Sequence, residues 1–229
     1  MAGSDGQGCA GASSGETPPG DGDDDAVAAL FAPPLGVAAG ETLRHDAGVR
    51  GWRLISGWAG EVVRVDEERR QVVDILLPGD FCLPPAPGHE LIALSPVTAR
   101  ALPDTAPGHG AAIMRLVLAA AITQNRRLRQ QVARNGRRTA CERVAHLLLE
   151  LCERLRIEGK GPADTLYVPV GQSTIADAVG LSYVHVSRVL NRLERSGMIE
   201  RTRTRIAIQD RPGLVALSGF DGAYVRGAP

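Results

Sequence analysis

Residues 169–199 read PVGQSTIADAVGLSYVHVSRVLNRLERSGMI, and their spacing sets the fold class. The stretch predicts two short helices joined at a tight corner. Ile175, Ala176 and Val179 give the first helix, from about Ser173 to Val179, its inner face. Gly180 supplies the backbone freedom that a sharp corner demands. Ser182 is the N-cap of the second helix, whose first amides need an oxygen acceptor. Val186, Val189, Leu190 and Leu193 then fall at i, i+3, i+4 and i+7, one buried stripe. Val184, Ser187, Arg188 and Asn191 repeat that spacing on another face, and Gly197 ends the helix. A short helix held inward that presents Ser, Arg and Asn outward suits the major groove of DNA.

On the C-terminal side, 199–201 and 205–208 predict a hairpin around Thr202–Thr204. Period-two spacing would put Arg201, Arg203 and Arg205 on one face of it. That makes a wing beside the two helices, or else an edge hairpin kept soluble by charge. Upstream, Thr165–Val168 predicts a short strand. Cys141–Ile157 predicts a helix with Val144, Ala145, Leu148, Leu151, Cys152 and Leu155 inward, which makes Cys141 and Cys152 small core residues. From about Gly110 the chain predicts a longer helix, AAIMRLVLAAAITQNRRLRQQVARN. Its stripe of Ile113, Leu116 or Val117, Ala120, Leu128 and Val132 is interrupted near Gln124. The stripe must pack either on its own β elements or on a second copy; a palindrome reader needs two-fold symmetry, which favours the second copy.

The first half is different in kind. Residues 1–25 are Gly-, Ser- and Asp-rich and predict a disordered acidic tail. Asp25–Phe31 predicts a brief helix stopped by Pro33 and Pro34. Short strands follow at Trp52–Val65 with a glycine-marked kink, and at Gln71–Leu77, Leu91–Leu94 and Val97–Leu102. A turn at Pro78-Gly79-Asp80 separates the second from the third. This pattern predicts an antiparallel sandwich or barrel. The chain therefore divides into the tail 1–25, a β-roll 26–108, a dimerisation helix 109–137 and a winged helix-turn-helix 138–225. The fold class is α+β.

Composition sets the outer bounds. Of 229 residues, 44% are hydrophobic but only 3% aromatic, so Ala, Leu and Val must fill the core. Residues 1–108 hold 7 Arg against 16 acids, and 109–229 hold 19 Lys or Arg against 10 acids, so a formally neutral chain has a basic half that can face a polyanion. No apolar run approaches the ~18 residues a bilayer span needs. No signal peptide is evident, and a cytoplasmic protein is expected. Cys9, Cys82, Cys141 and Cys152 have neither CxxC pairing nor regular spacing, which argues against a zinc site or a disulfide framework.

RLISGWAGEVVRVDEERRQVVDILLPGDF, ACERVAHLLLELCERL and IADAVGLSYVHVSRVLNRLERSGMI, in this order, resemble the Crp/Fnr family of bacterial transcription regulators. The resemblance covers most of residues 40–220. It implies a cyclic-nucleotide-binding-like β-roll, a homodimer, a double-stranded DNA partner and RNA polymerase as a candidate partner. By position it implies DNA contacts from Gln172, Ser173, Tyr183, Val184, Ser187 and Arg188, with Arg203 on the wing. Arg188 matches the family arginine and Ser187 a serine of the Fnr branch. Val184 stands where better-known members carry a glutamate, and Gly171 where a threonine cap is usual.

The family's cyclic-nucleotide binders use a Gly-Glu and an Arg-Ser/Thr-Ala to hold the ligand, and an anionic phosphate needs such donors. Here no Glu follows Gly79 and Arg100 falls after the next strand, so cyclic nucleotide is not the expected effector. Cys9 alone cannot supply an Fnr-type cluster, which takes about four thiolates. No cofactor is expected. Cys82 and His89 make either a ligand or redox pair, or a buried thiol and a surface imidazole; residue frequencies favour the latter. Two other functions compete with DNA reading. One is a cupin-like metal enzyme, for which five scattered His and no HxH are a poor ligand set. The other is a partner-binding interaction module.

Overall fold

The computed structural model describes residues 29–45, 48–67, 69–104, 109–160, 164–167 and 171–226. The expected acidic tail lies outside these residues, as does most of the brief helix expected at Asp25–Phe31; Leu30 forms a turn there and Phe31 a bend.

Seven strands precede the first described helix: β1 Leu35–Val37, β2 Val49–Ser56, β3 Ala59–Arg64, β4 Arg70–Leu76, β5 Phe81–Cys82, β6 His89–Ala93 and β7 Val97–Pro103. They form two antiparallel sheets of order β1-β7-β2-β5 and β4-β3-β6. Between the sheets lie Trp52, Leu54, Ala59, Leu76, Cys82, Leu91, Val97 and Ala99, the inward set of alternating strands. The expected kink is Gly57, at φ 78, where a Cβ would run into the Pro96 carbonyl oxygen and no side chain fits.

The helical half follows as α1 Gly110–Arg137, α2 Ala140–Ile157, β8 Thr165–Tyr167, α3 Gln172–Val179, α4 Tyr183–Arg195, β9 Ile199–Arg201, β10 Arg205–Ile208, α5 Arg211–Ser218 and α6 Ala223–Arg226. Strands β8, β10 and β9 make a small antiparallel sheet, the expected wing. A single apolar cluster joins Trp58, Val62, Val72 and Ile75 of the β-roll to Leu148 and Leu151 of α2, Ile175 and Val179 of α3, and Val186 and Leu190 of α4. The start of α1 is rooted separately, with Ile113 packed beside Leu30, Phe31 and Leu102. Arg100 belongs to this corner, where its guanidinium donates to the carbonyls of Ala32 at 2.8 Å and Phe31 at 3.1 Å. No helix among the described residues is long and apolar enough to cross a membrane.

His146 on α2 is buried, stacked on Tyr224 and edge-on to Phe220. Burial pushes its imidazole from the ordinary 6.5 down to about 4, with Arg134 adding to the effect. Between those two pH values the unfolded chain binds the proton and the folded chain does not, so stability falls as pH drops through that window. Urea midpoints measured from pH 7 to pH 4.5 should therefore fall more steeply for the native chain than for His146→Leu. Parallel slopes would remove the imidazole as the cause.

Candidate nucleic-acid interface

The corner predicted from the sequence is built as expected. Gly180 is left-handed at φ 65 and ends α3, and the Ser182 hydroxyl accepts from the His185 amide at 3.2 Å to cap α4. The C-terminus of α4 closes with Met198 N donating to Leu193 O and Gly197 N to Glu194 O, a Schellman arrangement. Val186, Val189, Leu190 and Leu193 are buried, while Tyr183, Val184, His185, Arg188 and Arg192 are exposed. The outer face of α4 is thus turned away from the core along its whole length.

The candidate contacts fall into two neighbouring clefts. Val184 and Arg188 share one with His185, Arg192 and Thr139. Ser173 and Tyr183 line the other with Ser182, with Arg69 of the β3–β4 turn and with Arg70 at the start of β4. Ser187 is half-buried between flanks of α4, and Gln172 is half-buried with its Oε1 turned inward. Arg203 is exposed at the tip of the wing.

Three details depart from the sequence reading. Arg201 pairs across the hairpin with Ile206, so it shares that residue's face, and Arg205 points to the other. Alternation is broken where the strand reverses, so the three arginines do not form one row. Arg201 also donates to Glu194 at 2.9 Å and to the side-chain Oδ1 of Asn191, which ties Asn191 to the wing rather than leaving it to read bases. Sequence reading also passed over Arg192 and Thr139. Arg192 lies four residues after Arg188 and so on its face. Thr139 opens a T-x-x-E capping box in which Glu142 accepts from the Thr139 amide at 2.8 Å.

The corner is braced from below. Arg70 on β4 pairs with Asp177 at 2.8 Å, and the Ala178 carbonyl accepts from Gln71 at 3.3 Å and Asn135 at 3.4 Å. Deeper, carboxylates and guanidinium groups from three parts of the chain meet in the interior. Arg154 of α2 donates to Asp80 and to the Ile75 carbonyl, each at 2.6 Å. Arg127 of α1 reaches Asp80 at 2.5 Å and Asp74 at 3.4 Å, while Arg134 and Tyr224 both bond Glu150. Burial alone would raise the Asp80 carboxyl, but close Arg154 and Arg127 hold it at about 2. Asp74 sits farther from both guanidinium groups, and there burial wins and pushes its carboxyl up.

Between the β-roll and α1 lies a cavity of about 270 Å³ whose polar lining includes Arg53, Glu61, Asp74, Asp80, Gln124 and Arg127. Glu61 accepts from Gln124 at 3.0 Å and pairs with His89 at 2.6 Å, so His89 is a half-buried partner and not a surface imidazole. Cys82 is buried with Sγ 3.3 Å from the Trp52 carbonyl, and burial pushes its thiol up to about 12, which keeps it protonated and unreactive. Cys152 is likewise buried in α2, its thiol also pushed up to about 12 by burial, whereas Cys141 is only partly buried. Among the described residues no group of three or more His, Cys, Asp or Glu is placed to hold a metal ion.

Residues 142–217 match the model of the Crp-like helix-turn-helix domain. Over 190 residues the chain is 29% identical to the nitrogen fixation regulation protein FixK of Bradyrhizobium diazoefficiens, covering 79% of this chain and 80% of that one. It is 33% identical over 152 residues to FixK of Rhizobium meliloti, covering 66% of this chain and 64% of that one. In fold it is similar to the solved structure of FixK2 from Bradyrhizobium japonicum, with TM-score 0.70 and 22% identity over 85% of this chain and 99% of that one.

Proposed function

Because the chain belongs to the Crp/Fnr family of DNA-binding transcription regulators, we propose that it acts as a homodimer reading an inverted repeat through the major groove. It is a regulator and not an enzyme. In this reading α4 enters the groove, 26–108 serve as a sensor-like β-roll, 109–137 as the dimerisation helix and 138–225 as the reader. The acidic residues 1–25 belong to none of the three. RNA polymerase is the candidate partner downstream of DNA, and the cytoplasm is the compartment where both would be met.

One observation carries the reading: α4 buries Val186, Val189, Leu190 and Leu193 and exposes Val184 and Arg188 beside a capped corner. Arg188 can donate two hydrogen bonds to guanine O6 and N7. Val184 offers apolar contact only, for example to a thymine methyl, so the operator differs at that position from one read by a glutamate. Ser173, Gln172 and Tyr183 are assigned to the flanking phosphates and Ser187 to the edge of the groove.

Selection from randomised duplexes at moderate salt tests this directly. Two half-sites with centres about one helical turn apart are expected. Enrichment of no palindrome would end the proposal. Arg203 has a distinct signature, because a wing-tip guanidinium meets phosphate and not base. Arg203→Ala should weaken specific and random duplexes alike and reduce the slope of log K against log salt by about 0.9 for each phosphate left without its arginine. A selective loss on the operator would instead make it a base reader.

We further infer that cyclic nucleotide is not the effector. The cavity beneath α1 presents Glu61, Asp74 and Asp80, and its Arg127 is already taken by Asp80 and Asp74. A cyclic phosphate there would face three carboxylates, and Arg53, the other guanidinium of the lining, lies over the Phe31 ring, so the anion would meet one arginine and not a paired clamp of the kind it requires.

A further inference from the structure

Helix α1 carries an apolar stripe that its own chain leaves open. Met114, Leu118 and Val132 are 63%, 58% and 74% exposed, and Leu128 lies on the same side. At 3.6 residues per turn, Met114, Leu118, Ala121, Asn125, Leu128 and Val132 fall within an arc of roughly 80°. Their spacings alternate four and three, the a/d repeat of a two-stranded coiled coil. The other side of α1 is committed, through Ile113 to the β-roll and through Arg127 and Arg134 to buried carboxylates. Asn125 is exposed near the middle of the open stripe, at an a position in line with Leu118 and Val132.

In the proposed homodimer, on which this inference rests, a second copy covers the stripe; the residues along it dictate how. Arg115 and Arg129 occupy e positions of the repeat. An antiparallel pair would bring e against e and set Arg115 of one copy near Arg129 of the other, like charges at close range. A parallel pair instead places Arg129 beside an uncharged g residue, Gln124. Within a parallel pair only the in-register alignment brings Asn125 against Asn125. A slip by one heptad would press the amide against Leu118 or Val132, leaving a buried polar group without a partner.

We propose that Asn125 of two copies meet across this seam, where their amides hydrogen-bond, fix a parallel in-register pair and hold it weaker than an apolar residue would. A single buried Asn at an a position gives up stability for register and pair geometry. The dimer that reads DNA is therefore set below its maximum strength by one side chain.

Sedimentation equilibrium of the full chain and of Asn125→Leu tests the strength, and mild oxidation of Asn125→Cys tests the register. The dissociation constant of the dimer should fall by about tenfold or more on Asn125→Leu. Asn125→Cys should yield a covalent dimer well above the level of the unsubstituted chain, while Arg126→Cys on the flank should not. A dimeric native chain whose Asn125→Leu variant associates equally or less tightly, or an Asn125→Cys chain that does not cross-link, would overturn this proposal alone. A native chain and Asn125→Leu variant that both stay monomeric at tens of micromolar would overturn the homodimer reading with it.

Discussion

Replacing Arg154 by Ala should lower the free energy of unfolding by about 3–5 kcal/mol, the cost of stripping one partner from a buried ionic group. The guanidinium is 5% exposed and bonds Asp80 and the Ile75 carbonyl at 2.6 Å, with Glu150 at 3.6 Å and Asp74 at 3.8 Å. Without it three largely buried carboxylates face only Arg127 and Arg134, with little solvent to take the place of the lost guanidinium. For a chain of this size the loss corresponds to a drop in Tm of about 6–20 °C. Arg156, two residues on, is the control: it is 44% exposed, and its buried partner Glu153 also pairs with Arg211 and Arg226. Arg156→Ala should move the urea midpoint far less, because the lost guanidinium is solvated and Glu153 keeps Arg211 and Arg226. Equal shifts for the two variants would show that the interior network does not hold α2 to the β-roll. Acid should act on the same network. Asp80 is held at about 2 against an ordinary 3.8, so its contribution is complete above the ordinary value and is lost as pH falls toward 2.

Arg188→Ala should flatten sequence discrimination while leaving binding to random DNA nearly intact. A bidentate contact to guanine contributes about 1–3 kcal/mol of discrimination per base pair, and a dimer makes it twice. The preferred operator should therefore lose about thirtyfold or more relative to random duplex, and the loss should map to one position in each half-site. The side chain is exposed on α4 beside Val184 and has no ion pair among the described residues, so its removal leaves the fold alone. Competition titrations at fixed salt give the answer. Equal loss on operator and random duplex would reassign Arg188 to the phosphate backbone.

Helix α4 was legible because its information is local. Ser182, the stripe of Val186, Val189, Leu190 and Leu193, and the glycines at both corners act within a few residues of one another, and each took the predicted role. The strands of the β-roll were legible for the same reason, through alternation and turn residues. The wing was half legible. Period two holds along a strand, and the reversal at Thr202–Thr204 sent Arg201 and Arg205 to opposite faces.

The order of elements and the chemistry that α4 presents were thus written in the chain, since periodicity and capping are properties of short segments. The fate of the charges was not; it took the packed fold to settle it. Asp74, Asp80, Arg127, Arg134, Glu150 and Arg154 look like ordinary surface residues in a list, yet they meet in the interior where β4, α1 and α2 converge. Likewise His89 found Glu61, and Asn191 was taken by Arg201. Pairings between residues tens of positions apart leave no periodic trace, because they depend on how whole elements pack. In water these groups would stay hydrated and separate, and burial between packed elements is what forces each charge to find its opposite.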